Sequence, residues 1–171
     1  MDSAELEREL ERLHPDSWGW VLACCGRHRS LAEDALQSAY LRVVNGTARF
    51  DGRSSFKTWL FGVIRRTAME EVRRQRAWDD RSGDVALAAA LPDPTDAPDV
   101  RAERAESRET LLRALRTLSD RQREVLELVF YHEMTIEDAA AVMAISVGSA
   151  RTHYDRGKKG LARALESMEE R

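Results

Sequence analysis

The chain has 171 residues, 33% of them charged and 6% aromatic, with a formal net charge of -3. That length suits one ordinary domain or two small ones, and no apolar run reaches the roughly 18 residues needed to cross a bilayer. The acidic, amphipathic opening "MDSAELERELERLH" lacks the basic start and apolar centre of a secretory signal, so a cytoplasmic protein without membrane insertion is expected.

In chain order, "DSWGWVLACCGRH" reads as a helix packing Val21, Leu22 and a cysteine inward. Cys24 and Cys25 are adjacent, an arrangement that rarely forms a disulfide, and a zinc site needs about four spaced ligands. Buried packing is their expected role. The next helix, "SLAEDALQSAYLRVV", opens on Ser30 and Glu33, the two ends of a capping box. Leu31, Ala35, Leu36, Ala39, Tyr40 and Val43 follow at helical spacing. "NGTARFDGRSS" supplies turn residues, and a long helix then runs through "FKTWLFGVIRRTAMEEVRRQRA" on Phe56, Leu60, Val63, Ile64 and Val72.

Pro92, Pro94 and Pro98 cluster in the stretch 78–100 and break helical continuity there. The expected organisation is an N-terminal domain at 1–76, an acidic linker at 77–107 with a short helical turn in "VALAAAL", and a C-terminal domain at 108–171. Four helices are expected in the last of these. "SRETLLRALRTL" is the first. Ser119 with Gln122 caps the second, which carries Val125, Leu126, Leu128 and Val129. Thr135 with Asp138 opens the third, whose inward stripe is Ile136, Ala139, Ala140 and Met143. Ser146 caps the fourth. Gly157 and Gly160, each about 1 kcal/mol worse than alanine in a helix, are expected to loosen its end.

Charge is segregated along the chain. Residues 45–76 hold eight basic side chains against three acids, residues 77–107 eight acids against three arginines, and residues 146–163 five basic side chains against Asp155. Two basic islands around an acidic spacer fit two contacts with a polyanion, or solvated helix faces. The third and fourth C-terminal helices, about ten residues and a three-residue turn apart, form a helix-turn-helix. Val147, Ala150 and Tyr154 face inward on the fourth, leaving Arg151, Thr152, Asp155 and Arg156 outward, a set suited to the major groove. Asp155 reads either as a selectivity element or as an ion-pair partner of Arg151 and Lys159. In the N-terminal domain Phe56, Trp59 and Phe61 lie beside a basic helix, which suits unpaired bases, although Trp59 and Phe61 also fit a core. The four histidines are scattered, and neither a glycine-rich phosphate loop nor a GxSxG element occurs. No catalytic residue, metal site or cofactor is expected.

"AEDALQSAYLRVV" with "SSFKTWLFGVIRRTAMEEVRRQR", followed by "ALRTLSDRQREVLELVFYHEMTIEDAAAVMAISVGSARTHYDRGKKGLARAL", resembles in order the two conserved blocks of bacterial sigma factors of the extracytoplasmic-function group. The resemblance covers roughly 15–76 and 108–166. It implies an all-α, two-domain promoter-specificity factor that works with core RNA polymerase, which supplies the chemistry. Asp34, Gln37, Ser38, Leu41 and Arg42 would dock on the clamp coiled coil, with further contact to the flap. Arg53, Ser54, Ser55, Phe56, Lys57, Trp59, Arg65, Arg66, Glu70, Arg73 and Arg74 would melt and hold the minus-ten element as single strand. Ser149, Arg151, Thr152, His153, Asp155, Arg156 and Lys158 would read the minus-thirty-five element as duplex. An anti-sigma factor and stress-responsive control are implied as well. Arg66, Glu70, Val44, Ser38, Ala144, His153 and Gly157 depart from the family's usual Asn, Asp, Trp, acid, Gly, Arg and Ala. A stand-alone operator-binding regulator and a sigma-mimicking interaction module are the competing readings, with redox work by the cysteines last.

Overall fold

The computed structural model describes residues 1–82 and 98–169. Among these residues seven helices run in order: α1 (Ser3–Cys24), α2 (Arg29–Val44), α3 (Phe56–Ser82), α4 (Pro98–Arg116), α5 (Asp120–Leu126), α6 (Ile136–Met143) and α7 (Val147–Glu169). A π-helical turn, Glu127–Tyr131, prolongs α5. Among the described residues there is no strand, and the expected all-α class holds. The chain divides into two units, one built on α1, α2 and α3 and the other on α4, α5 and α7. The expected helical turn in "VALAAAL" lies outside the described residues.

In the first unit the three helices pack pairwise. Ala32, Ala35 and Ala39 on α2 are fully buried, and their small side chains let its backbone come close to its neighbours. Trp20 of α1 is fully buried, stacks on Phe61 of α3 with centroids 5.9 Å apart, and donates from its indole N–H to the Phe61 carbonyl at 3.0 Å. The polar end of a large apolar ring is thereby satisfied. Leu13, Val21, Leu36, Leu60 and Ile64 complete the core, each contributing about 1.5–3 kcal/mol of burial. Cys25 is buried and Cys24 half-buried, as packing predicts.

Two helix starts in this unit differ from the sequence reading. Helix α1 begins at Ser3, where Asp2 and Glu5 form a reciprocal capping box, and it continues through Pro15. An internal proline costs about 3 kcal/mol, yet Leu10, Leu13, Ser17 and Trp20 are buried on both sides of it and hold the helix as one piece. Helix α2 starts at Arg29 behind His28, which makes no side-chain cap bond, so the Ser30–Glu33 box does not form. The preceding backbone closes early, with Gly26 and Arg27 both at positive φ and the Arg27 N–H bonded to the Leu22 carbonyl at 2.8 Å. Glu33 is drawn instead to Arg29, 3.1 Å away.

The segment expected as linker is helical at both ends, since α3 reaches Ser82 and α4 begins at Pro98. Proline is favourable at a first helical position, and the Ala, Glu and Arg residues that follow are strong helix formers. In the second unit Ser119 and Gln122 make the expected reciprocal cap. Val125, Leu126 and Leu128 are buried there, as are Ala139 and Ala140, and Met143 at the end of α6 is buried too. Helix α7 does not loosen at its glycines. A Cβ on Gly157 would lie 3.2 Å from Leu126 Cδ1 and 3.3 Å from the Gln122 carbonyl oxygen, and one on Gly160 would lie 2.8 Å from Leu118 Cδ2. Their lack of a side chain lets α7 approach α5 closely at Gly157 and the turn before α5 at Gly160, and that packing offsets the propensity cost.

Candidate nucleic-acid interface

The helix-turn-helix is built by backbone and hydroxyl hydrogen bonds. Thr135 Oγ1 accepts from the Asp138 N–H at 3.0 Å and donates to the Asp138 carboxylate at 2.8 Å, opening α6. At the other end, the Ala144 N–H bonds to the Ala141 carbonyl and the Ile145 N–H to the Ala140 carbonyl, at 3.2 and 3.1 Å, with Ala144 at φ 54°. This pair of bonds around a left-handed residue is a Schellman closure. Ser146 Oγ then accepts from the Ser149 N–H at 3.1 Å and caps α7.

On α7, Ala150 is fully buried and Val147 and Tyr154 are half-buried, while Ser149, Arg151, Thr152, Asp155, Arg156 and Lys158 are exposed and His153 is half-buried. The expected outward face is therefore open. Its ion pairs differ from expectation. Arg151 Nη2 donates to Glu137 Oε1 of α6 at 3.0 Å, and Asp155 lies 3.8 Å from Lys158, so neither Arg151 nor Lys159 serves as the partner of Asp155. Glu137 crosses to Arg151 because the tight turn sets the start of α6 beside the first turns of α7, a proximity invisible to spacing along one helix. Lys158 also lies over the Tyr154 ring at 4.4 Å, and the Thr152 hydroxyl donates to the Gly148 carbonyl at 3.1 Å.

In the first unit two side-chain turns shape the loop before α3. Asn45 accepts from the Thr47 N–H at 3.0 Å and Asp51 from the Arg53 N–H at 3.2 Å, beside Gly46 and Gly52 at positive φ. Ser55 caps α3 through the Thr58 N–H at 3.0 Å. Phe50, Phe56 and Trp59 form an aromatic cluster with centroids 5.3–5.4 Å apart, and none of the three is fully buried. Phe50 escaped the sequence reading, because a lone aromatic in a turn-rich stretch has no periodicity to mark it.

The basic candidates divide. Arg53, Arg66, Arg73 and Arg74 are exposed. Arg65 is not: it is buried, only 8% exposed, since it falls on the inward side of α3 beside Ile64 and Ala68, and it leaves the candidate surface. Phe61 is core. Lys57 is bound to Asp16 of α1 at 2.9 Å. Glu70 pairs with Arg42 of α2, so a residue assigned to strand capture and one assigned to docking hold each other. That hydrogen bond, ahead of the nearby charges of Arg66 and Arg73, holds the Glu70 carboxyl below the usual glutamate range.

The outer side of α2 exposes Asp34, Gln37, Leu41 and Val44 at i, i+3, i+7 and i+10, with Leu41 and Val44 at 59% and 65%. Ser38 and Arg42 are half-buried. An open groove of about 670 Å³ runs beside this stripe, between it and His14 and Trp18 of α1. Val44, which was not among the residues expected to dock, adds a second exposed apolar position to this stripe.

Residues 10–77 match the family model for sigma-70 region 2, and residues 108–161 that for sigma-70 region 4. The RNA polymerase sigma factor CarQ of Myxococcus xanthus is 32% identical over 151 residues, covering 86% of this chain and 82% of CarQ. The extracytoplasmic-function sigma factor SigX of Bacillus subtilis is 30% identical over 154 residues, covering 84% of this chain and 75% of SigX. The chain is a sigma factor of the extracytoplasmic-function group of the sigma-70 family. In fold it is similar to the sigma factor RpoE of Bartonella quintana, solved with the anti-sigma factor NepR, at a TM-score of 0.76, 23% identity and coverage of 95% and 97%. It is also similar to CnrH, solved with the cytosolic domain of CnrY, at a TM-score of 0.65, 19% identity and coverage of 97% and 90%. No helix among the described residues of this sigma factor is long and apolar enough to cross a membrane.

Proposed function

We propose that this sigma factor recruits core RNA polymerase to promoters through three surfaces and performs no catalysis itself. The observation that carries the reading is the open face of α7, where Arg151, Thr152, Asp155 and Arg156 stand exposed on a helix held by a closed turn. Arginine can bridge the two major-groove acceptors of guanine, and aspartate can accept from the amino group of cytosine. This face reads the minus-thirty-five element. The cluster of Phe50, Phe56 and Trp59, with Arg53, Arg66, Arg73 and Arg74 nearby in sequence, captures the melted minus-ten strand by stacking and phosphate contact. Asp34, Gln37, Leu41 and Val44 dock on the clamp coiled coil, and exposed Phe130 and Tyr131 offer apolar surface to the flap. The fold shared with the sigma factor RpoE, solved in complex with the anti-sigma factor NepR, supports a similar inhibitor here, which would determine whether the factor is held away from the nucleoid or engaged there.

Reconstitution tests the reading. Purified protein is combined with sigma-free core polymerase, and run-off transcription is scored across promoter fragments beside binding controls without polymerase. Transcripts that require both components are expected. Tight duplex binding by the protein alone, without any complex with core, would favour a stand-alone regulator instead.

A further inference from the structure

A guanidinium on a flexible stem meets two kinds of acceptor at a groove: the paired acceptors of a guanine edge and the phosphates along the wall. In this sigma factor that guanidinium is held from a second helix. Arg151 Nη2 is bonded to Glu137 Oε1 at 3.0 Å, and Glu137 sits in the first turn of α6, across the turn from α7. Both ends of that connection are braced, by the Thr135 cap on α6 and by the Ser146 cap on α7. The neighbouring polar groups are tied only within their own helix, Thr152 to the Gly148 carbonyl and Asp155 to Lys158. Arg151 is instead tied to a residue on the other helix of the motif.

We infer that Glu137 is a specificity-determining positioning residue, which holds one edge of the Arg151 guanidinium so that its remaining N–H fork faces a base rather than a phosphate. The inference rests on α7 being the reading helix. A planar fork gripped on one side keeps donors free for bidentate recognition in a set plane, which a lysine could not do. In the free protein the pair is 62% and 59% exposed, and exposed pairs contribute little stability. Its effect belongs to the bound state, where exclusion of water strengthens the attraction. The carboxylate also opposes phosphate, which disfavours placing this face on indiscriminate DNA.

The test uses holoenzyme reconstituted with wild-type factor, Glu137→Ala, Glu137→Gln, Arg151→Ala and the Glu137→Ala/Arg151→Ala double variant. Binding is measured over a range of salt on promoter fragments with each minus-thirty-five base pair replaced in turn. Arg151→Ala is expected to lose about tenfold discrimination at one base pair. Glu137→Ala should lose discrimination at that same base pair and at no other, bind unrelated DNA more tightly, and gain about one in salt slope as the released arginine takes a phosphate. Glu137→Gln, which keeps an acceptor without the charge, should fall between. The double variant should discriminate no worse than Arg151→Ala, as expected of two residues acting as one unit. Full discrimination by Glu137→Ala beside a loss in Arg151→Ala overturns the inference and leaves α7 as the reading helix. Full discrimination by Arg151→Ala removes that reading and the inference with it.

Discussion

Replacing Ala144 by glycine should stabilise the helix-turn-helix. Ala144 stands at φ 54° between the Ala140 and Ala141 carbonyls that its own and the next N–H satisfy, so the turn demands the left-handed region of the residue there. For an L-residue with a Cβ that conformation costs about 1–2 kcal/mol. Glycine removes the cost but enlarges the unfolded ensemble, which takes back about 0.4–1 kcal/mol. The Ala144 side chain is exposed, so no packing is lost, and the net gain is about 0.5–1 kcal/mol. For a unit of this size that corresponds to a rise of roughly 2–8 °C in midpoint. Thermal unfolding followed by far-ultraviolet circular dichroism measures it. Ala144→Val should move the ellipticity midpoint the other way, since a β-branched side chain is worse still at positive φ. A glycine variant no more stable than wild type would refute the argument that the turn is strained.

Gly157→Ala should destabilise by about 1 kcal/mol, because a helix-propensity gain of about 1 kcal/mol meets an overpacking cost of about 1–3 kcal/mol against Leu126 and the Gln122 backbone. Gly160→Ala, whose close neighbour is the rotatable end of Leu118, should be nearly neutral when both variants are titrated with urea, and a larger loss there would contradict the packing account. Glu70 has a folded-state pKa depressed chiefly by its hydrogen bond from Arg42, so its contribution is present above the ordinary glutamate range and is lost as pH falls through the folded value. Glu70→Gln should therefore flatten the acid limb of stability against pH; an unchanged limb would show that the pair contributes nothing. Burial, with the Glu71 charge second, pushes the Cys25 thiol up to about 12, and the thiolate is the reactive form. In a Cys24→Ser protein near neutral pH, iodoacetamide should label Cys25 only as fast as the unit opens, by mass spectrometry, and labelling at the rate of an unfolded peptide would overturn its placement in the core.

Periodicity and capping chemistry alone determined the all-α class, the buried stripes of α2, α3 and α6, the caps at Ser119, Thr135 and Ser146, and the outward face of α7. These features are local: each depends on residues within a turn or two of one another, and the physics that sets them acts over that range. What the tertiary structure decided are relations between helices. The start of α2 moved because a backbone closure at Gly26 and Arg27 preceded it, and α1 ran through Pro15 because burial on both flanks outweighed the local break. Gly157 and Gly160, unfavourable by propensity, are close-approach positions that only the placement of α5 and of the turn before it reveals. Arg65 differs from Arg66 by one residue and lies on the inward side of α3, a distinction that a count of basic residues does not make. Phe50 joined Phe56 and Trp59 through loop geometry, Arg42 found Glu70 across two helices, and Glu137 found Arg151 across a turn. A sequence records what each side chain can do, whereas the partner it meets depends on distances in space that only packing sets.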